Sequence, residues 1–329
     1  MDWTRIIQNT LEAAIGRDAI VYALAAIGLN LHFGYTGLLN FGQVGFMAVG
    51  AYGVGIGVRE LDLSIWAAMP IGILAAVALA LLLGIPTLRL RADYLAIVTI
   101  AAGEILRLAF RSETFNDYTG GSSGINQFAN DFYSVNPLSG DTDLGIIDFS
   151  AGQLWVRIVG WLLVLAAVGF VWLLVRSPWG RVVKSIREDE DAVRSLGKNV
   201  VAYKMQSLIV GGVIGAVAGM VYAISAQSVQ PDNYGTATTF YAYVALILGG
   251  TARTWGPVIG SIILWSLLAF TDAFLREAIG AGWLPESIID ERQVGQVRLM
   301  LVGVALVALM VFRPQGIFGD RREIALTSR

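Results

Sequence analysis

A few ionisable residues lie within or beside long apolar runs and are the first candidates for chemistry. They are Glu104, Arg107, His32, Arg157 and Asp272. A charge near the centre of a bilayer costs at least about 2.5–3.5 kcal/mol, so it persists only for a reason. Glu104 and Arg107 are three residues apart and share a helix face, where they form either a structural ion pair, which we favour, or a proton relay. The other three lie near run ends, where His32 fits an interfacial position and the two charged groups can extend to water.

The remaining composition offers no catalytic or metal chemistry. The chain has no cysteine and one histidine, which excludes a thiolate nucleophile and a cysteine zinc site and leaves no metal set or catalytic triad. A P-loop needs G-x-x-x-x-G-K-[ST], but Gly197-Lys198 is followed by Asn199, and Ala192 stands where the first glycine belongs. We therefore predict that the chain is not an enzyme, binds no metal or cofactor and takes its energy from a partner or an ion gradient.

The overall composition is that of a membrane protein. Of 329 residues, 56% are hydrophobic and 15% are charged, against about 25% charged in soluble domains. The mean hydropathy is +0.65 and the net charge is -2, which gives no reason to expect nucleic-acid binding.

Apolar runs recur along the whole chain and predict one transmembrane domain over residues 1–329. The runs are 19–33, 44–58, 65–83, 94–110, 154–175, 205–224, 240–250, 256–270 and 297–312. They predict an all-α polytopic membrane protein with eight or nine transmembrane helices, some of them short. Glycine-rich segments interrupt the runs at GYTGLLNFGQ (34–43) and GGTARTWGP (249–257). These breaks indicate either discontinuous helices around a transport path or two ordinary tight hairpins.

The distribution of Lys and Arg predicts the orientation. Residues 176–204 contain seven basic residues, whereas 111–152 contain one basic and six acidic residues. Basic loops face the cytoplasm, so we expect 176–204 and the tail 313–329 inside and 111–152 outside. If all nine runs cross the membrane, the N-terminus lies outside; if the first two runs form a re-entrant pair, eight crossings remain and the N-terminus lies inside. The first thirty residues show no pattern of a removed signal peptide.

The cytoplasmic loop has the pattern of short amphipathic helices. Val182, Val183, Ile186, Val193 and Leu196 recur at helical spacing, and Gly197 is placed to end a helix. An acidic cluster at 188–191 is flanked by arginines. The loop is therefore either a solvated positive segment or a docking surface for a partner.

Two further sets of residues are candidates, one for lining a transport path and one for close packing between helices. Asn40, Phe41, Gln43 and Tyr52 lie beside the first break, where polar groups either bind a passing zwitterion or satisfy free backbone groups. Small residues spaced by four allow two helices to approach closely, either within the subunit or at a seam with a second subunit. These residues are Gly211, Gly215, Gly219, Gly256 and Gly260.

Four blocks of the sequence together resemble a known family. They are 34–43, the loop from Gly180 to Lys204, AGMVYA (218–223) and RPQGIFG (313–319). In this order they resemble permeases of branched-chain amino-acid ABC importers, specifically the M-type subunit of the Liv system. The resemblance extends from about residue 20 to 319. One departure is Arg253, where relatives usually carry a smaller residue, and it leaves open how that turn packs.

The resemblance implies an ABC importer permease in a prokaryotic plasma membrane. Its implied partners are a second permease subunit forming a heterodimer, two cytoplasmic ATPase subunits, an extracytoplasmic binding protein and membrane lipid. The implied substrates are leucine, isoleucine and valine, with urea or short amides as alternatives and an autonomous secondary transporter as the competing function. The implied ATPase-coupling residues are Ser185, Ile186, Arg187, Glu188, Asp189, Glu190, Ala192, Arg194, Leu196 and Gly197.

Overall fold

The computed structural model describes residues 2–88, 92–138, 140, 142–143, 148–283, 293–313 and 316–319. Helices account for most of this part of the chain. In chain order they are α1 (Trp3–Ile15), α2 (Arg17–Leu29), α3 (Gln43–Arg59), α4 (Ile65–Thr87), α5 (Ala92–Arg111), α6 (Asn116–Thr119), α7 (Asn130–Ser134), α8 (Ala151–Arg176), α9 (Pro178–Glu188), α10 (Glu190–Ser195), α11 (Val200–Ala226), α12 (Thr236–Gly249), α13 (Gly256–Gly280) and α14 (Val294–Phe312). The predicted all-α polytopic architecture is confirmed.

Short strands and turns complete the segments between the long helices. The strands are β1 (Ile125–Asn126), β2 (Thr142–Asp143), β3 (Asp148–Phe149) and β4 (Ser228–Val229). Strand β1 pairs antiparallel with β4, with Ile125 opposite Val229, and β2 pairs antiparallel with β3. The β1–β4 pair joins the long segment after α5 to the end of α11.

Every apolar run predicted from the sequence lies in a helix, but the helices differ in length. Within the described residues, five segments are long and apolar enough to cross a membrane: Trp3–Thr36, Ile65–Thr87, Ala151–Arg176, Val200–Ala226 and Gly256–Gly280. Helix α12 has 14 residues and α3 has 17, so both are shorter than the roughly 20 residues that span a bilayer. The two short helices directly adjoin the two glycine-rich breaks.

Helix α2 lies at the centre of the helix bundle. Each of its residues from Ala19 to Leu29 is buried, and α8, α11, α12 and α13 pack around it. A helix that is apolar all round must be covered on every side. The small side chains of α2, four of them alanine within 19–26, allow this close covering.

The N-terminal helix α1 was not predicted. It packs against α13 and buries Ile6, while Trp3, Ile7, Leu11 and Ile15 form an exposed stripe with 42–53% of each residue exposed. The spacing of four in this stripe is the sequence signal that predicts an amphipathic helix. Because the segment is polar on its other face, it escapes a search for continuous apolar runs.

The two ends of the helix bundle are formed by different structural elements. We define the α9 end by α9, α10 and the two glycine-rich breaks, and the β1–β4 end by that strand pair, α1 and the segment after α5. At the β1–β4 end, Arg157 pairs with Glu12 at 2.9 Å, and Asp272 pairs with Arg276 at 2.9 Å and Arg298 at 3.3 Å. The charged residues Arg157 and Asp272 therefore lie in ion pairs.

The glycines singled out from the sequence lie at contacts between helices of this chain. A Cβ on Gly211 would come within 2.6 Å of the Gly28 carbonyl oxygen, and one on Gly219 within 1.9 Å of the Met47 carbonyl oxygen. A Cβ on Gly260 would come within 1.8 Å of the Ala245 carbonyl oxygen. These glycines thus allow α11 to approach α2 and α3, and α13 to approach α12. Gly215 packs against the Gln43 side chain, and Gly256 packs against the Gly250 carbonyl.

Candidate functional site

The first glycine-rich segment is a break within the protein interior. Helix α2 continues as a π-helical turn over Asn30–Thr36, Gly37 adopts a φ of +75°, and α3 begins only at Gln43. The backbone donors exposed by this break find side-chain acceptors on other helices. The Phe41 amide donates to Thr99 Oγ1 at 3.1 Å, and the Val44 amide donates to Thr239 Oγ1 at 3.0 Å. Helices α2 and α3 run in opposite directions along α11, so the break is a hairpin between two helices and not an interruption of one helix.

Asn40 and Gln43 form a buried hydrogen-bond network behind the break. Asn40 Nδ2 donates to Gln43 Oε1 at 3.1 Å and to His32 Nδ1 at 3.1 Å. Gln43 Nε2 in turn donates to the Gly211 carbonyl at 3.1 Å. The His32 ring donates from Nε2 to the Leu208 carbonyl at 3.2 Å, which fixes its neutral tautomer because a carbonyl can only accept.

The interfacial position predicted for His32 is wrong. The residue is 0% exposed, as are Asn40 and Gln43. The prediction failed because it assumed that an apolar run ends at the membrane surface. Here the run ends at a break inside the protein, where the imidazole serves buried polar groups.

The two aromatic residues predicted for the path differ in their surroundings. Tyr52 is 1% exposed, and its ring stacks on Phe110 at 4.0 Å between centroids. Phe41 is partly exposed and contacts Tyr243 at 4.9 Å and Phe240 at 5.7 Å. Of the four predicted path residues, Phe41 alone reaches a surface of the described chain.

Beside Phe41 lies a face that combines apolar and charged side chains. We define the α5–α12 face by Phe41, Phe240, Glu104, Arg107 and Asp232. Arg107 binds Glu104 at 2.6 Å and Asp232 at 2.9 Å. The ion pair expected between Glu104 and Arg107 is confirmed, and Asp232 is an additional partner. The Glu104 side chain is 40% exposed, although it lies about 10 Å along the axis from the end of α5.

Two side-chain contacts bind the second glycine-rich break to the first, one from Asn30 and one between the Tyr35 and Thr254 hydroxyl groups at 3.4 Å. Asn30 Nδ2 donates to the Arg253 carbonyl at 2.8 Å, and Asn30 Oδ1 accepts from the Ala252 amide at 2.8 Å. The side chain of Arg187 from α9 donates to the Gly34 carbonyl in the first break. Arg253 therefore contributes its backbone carbonyl to the turn, and because the residue is exposed its side chain needs no space in the interior. We name this contact the Asn30 clamp.

The loop between α8 and α11 forms two ordered helices, as its pattern predicted. Ser177 caps α9 through the Gly180 amide, and Asp189 caps α10 through the Ala192 amide at 2.9 Å. Such caps typically contribute about 1 kcal/mol each. Gly197 ends the second helix with a φ of +74°.

The predicted coupling residues divide into an inner and an outer group. Ile186 is 4% exposed and packs with Val193 and Val200. Glu190 binds Arg194 at 2.9 Å and also Lys204. Leu196 is 79% exposed. The exposed residues are Ser185, Glu188, Asp189, Ala192, Arg194, Leu196 and Gly197. Ile186 thus holds the loop together from inside and presents no surface to a partner.

Comparison with known proteins agrees with this architecture. The family model described as the permease component of branched-chain amino acid transport systems matches residues 13–310. No solved structure matches the chain.

Three relatives illustrate the range of similarity. The high-affinity branched-chain amino acid permease LivM of Escherichia coli K12 is 31% identical over 309 residues, covering 91% of this chain and 68% of that protein. The probable LivM of Methanocaldococcus jannaschii is 25% identical over 344 residues, covering 92% and 91%. The nucleoside ABC transporter permease NupC of Lactococcus lactis is 26% identical over 295 residues, covering 84% and 85%.

Family membership identifies the chain as a transport subunit. It is a multi-pass inner-membrane protein of the ABC importer class and not an enzyme. The bundle of apolar helices, the ordered α9–α10 loop and the family match over residues 13–310 lead to one conclusion. The chain belongs to the family of permease components of branched-chain amino acid transport systems.

Proposed function

We propose that this permease imports leucine, isoleucine and valine delivered by an extracytoplasmic binding protein. The observation that carries the proposal is the 31% identity to a branched-chain amino acid permease over 91% of the chain. The relative named as a nucleoside permease makes a nucleoside the second candidate substrate. Urea and short amides are further substrates for the same assay.

The proposed assembly contains a second permease subunit, forming a heterodimer, and two ATPase subunits on the cytoplasmic side. We place the α9 end in the cytoplasm because residues 176–204 are rich in Lys and Arg. The β1–β4 end then faces outward and receives the binding protein. This orientation gives the N-terminus an extracytoplasmic position and the chain nine crossings.

We place the transport path along the α5–α12 face. An ionised carboxylate facing lipid at this depth would cost at least about 2.5–3.5 kcal/mol, so a 40% exposed Glu104 indicates contact with water or a partner subunit. The face has both signs of charge beside the apolar rings of Phe41 and Phe240, which suits a zwitterion with an apolar side chain. We propose that the second permease covers this face and leaves a water-filled path. Asn40 and Gln43 form their hydrogen-bond network beside Phe41 and hold the segment between α2 and α3 in position, whereas Tyr52 stacks on Phe110 farther along α3.

Reconstitution in liposomes tests the importer function directly. We expect uptake of radiolabelled leucine only when the second permease, the ATPases, the binding protein and ATP are all present, because the described chain offers no energy source of its own. Leucine, isoleucine and valine should compete with one another, and urea and adenosine should not compete. Gradient-driven uptake by this chain alone would identify a secondary transporter, and preferential uptake of adenosine would identify a nucleoside permease.

Substitution of Glu104 tests the placement of the path. We expect Glu104→Gln to lower leucine uptake by about tenfold or more, because a hydrogen bond to a charged group contributes roughly 1.5–3 kcal/mol. The measurement is the initial uptake rate per inserted permease. Asp272→Asn is the matched control, since Asp272 is likewise a carboxylate paired with arginine but lies on α13. If both variants lose uptake equally, the α5–α12 face is not the path.

A further inference from the structure

A cavity at the α9 end is separate from the path proposed above. It has a volume of 540 Å³ and lies among the end of α8, the start of α9 and the turn between α12 and α13. Its lining includes Arg176, Lys184, Trp172, Trp255 and Tyr35. The cavity thus combines cations with aromatic rings.

Aromatic rings hold the cations of this cavity. The Arg176 guanidinium lies 4.0 Å from the centroid of the Trp172 ring, and Lys184 Nζ lies 5.6 Å from that of Tyr35. Neither cation forms an ion pair with a carboxylate of the described residues. Two positive charges are therefore fixed at the cavity wall without a described counter-charge.

The first turn of α13 adds to the positive potential. The helix begins at Gly256 in the cavity wall, and its cap residue Trp255 provides no side-chain hydrogen bond to the first amides. A helix N-terminus has a partial positive charge. Pro257 in this turn has no amide hydrogen, and the Gly256 amide donates to the Arg253 carbonyl, so the turn adds potential rather than hydrogen-bond donors. The combination of fixed cations and this partial charge suits a phosphate group.

The surface beside the cavity favours a lipid as the source of that phosphate. Phe170, Trp172 and Leu173 of α8 are 50%, 40% and 63% exposed. Trp255 at the cavity rim is 50% exposed. Tryptophan beside basic residues is typical of the headgroup region, and basic pockets on the cytoplasmic side bind anionic headgroups. The apolar surface of α8 provides room for acyl chains next to the cations.

We infer that this cavity binds the phosphate headgroup of an anionic phospholipid, with Arg176 and Lys184 contacting the phosphate. The acyl chains lie along the exposed surface of α8. The inference rests on the orientation proposed above, with the α9 end in the cytoplasm, but on neither the substrate nor the path. Family membership identifies a transport function, and the lipid site is an additional property of this subunit.

Native mass spectrometry of the purified permease tests the site. The protein is equilibrated with mixed phosphatidylglycerol and phosphatidylcholine, and the ratio of the two lipids retained is measured. We expect Arg176→Gln combined with Lys184→Gln to reduce the preference for phosphatidylglycerol by about tenfold or more, given the contribution of each cation near a lipid surface. Arg176→Lys should keep the preference for phosphatidylglycerol because it keeps the charge. Retention in this variant shows that the loss in the double variant comes from removal of charge and not from misfolding at position 176.

The matched control removes two charges elsewhere on the same loop. Arg181→Gln with Lys198→Gln alters exposed residues outside the cavity and should leave the lipid ratio unchanged. An equal loss in this control would show general surface attraction and overturn the inference. Displacement of the lipid by millimolar inorganic phosphate would assign the cavity to a soluble anion. Normal lipid retention with lost ATPase assembly in the cavity variant would assign it to the subunit interface.

Discussion

Replacing Leu196 with aspartate is expected to separate the permease from its ATPase. Leu196 is 79% exposed at the end of α10, and no other apolar residue on α9 or α10 is as accessible within the described chain. Loss of a hot-spot residue at an interface costs about 2 kcal/mol or more, which is about a thirtyfold loss of affinity, and an aspartate here also places an unpaired charge in the contact. We expect ATPase co-purification and ATP-driven uptake to be lost, with membrane insertion retained. Glu188→Arg should have the same effect, since Glu188 is exposed beside this site.

Two controls separate coupling from folding of the loop. Lys198→Gln changes an exposed residue of the same loop and should leave both measurements unchanged. Ile186→Ala opens a cavity among Val193 and Val200, and such truncations cost about 2–5 kcal/mol. We expect it to lower the thermal midpoint of the permease, whereas Leu196→Asp should not. If Leu196→Asp co-purifies with ATPase and transports normally, the exposed surface of α10 is not the contact.

The second large effect is expected at Gly219. An added Cβ would meet the Met47 carbonyl oxygen at 1.9 Å, and a backbone atom cannot rotate away. Helices α11 and α3 must then separate, and the contacts along both are lost. We expect Gly219→Ala to destabilise the permease by more than about 3 kcal/mol and to reduce the amount recovered from membranes severalfold. Thermal unfolding in detergent, followed by fluorescence-detected size-exclusion chromatography, measures the change.

Gly169 is the matched control for this substitution. It lies in the middle of α8, and no atom of the described neighbours lies within 4 Å of an added Cβ. Alanine there should raise stability by up to about 1 kcal/mol because it favours the helix. Equal stability of Gly219→Ala and Gly169→Ala would contradict the close approach of α11 and α3.

The apolar runs predicted the long helices from α2 onward but not the depth at which each run ends. Apolar runs identify helices directly, since an apolar segment must be buried in protein or lipid. They do not show whether a run ends at the membrane surface or inside the protein. His32 was misplaced for this reason. The threonines that cap the break, Thr99 and Thr239, were missed because hydroxyl groups in apolar helices have no distinctive spacing.

The candidate site was only partly accessible from sequence for a similar reason. Helical spacing pairs Glu104 with Arg107 because both lie on one helix. Asp232 joins them from 125 residues away, and only the fold brings it within reach. The same limit applies to Ile186 and Leu196. Both fit the apolar stripe, but packing against α11 determines which of them is buried.

The Asn30 clamp has a mechanical consequence. The Asn30 side chain and the Tyr35–Thr254 contact bond the first break to the second, and Arg187 binds α9 to the first break. A displacement of α9 is therefore transmitted to both breaks at the same time. Spin labels on α9 and in the two breaks should change their separations in a single step during the ATP cycle. Asn30→Ala combined with Tyr35→Phe removes both side-chain contacts between the breaks, and the two regions should then move at different stages of the cycle.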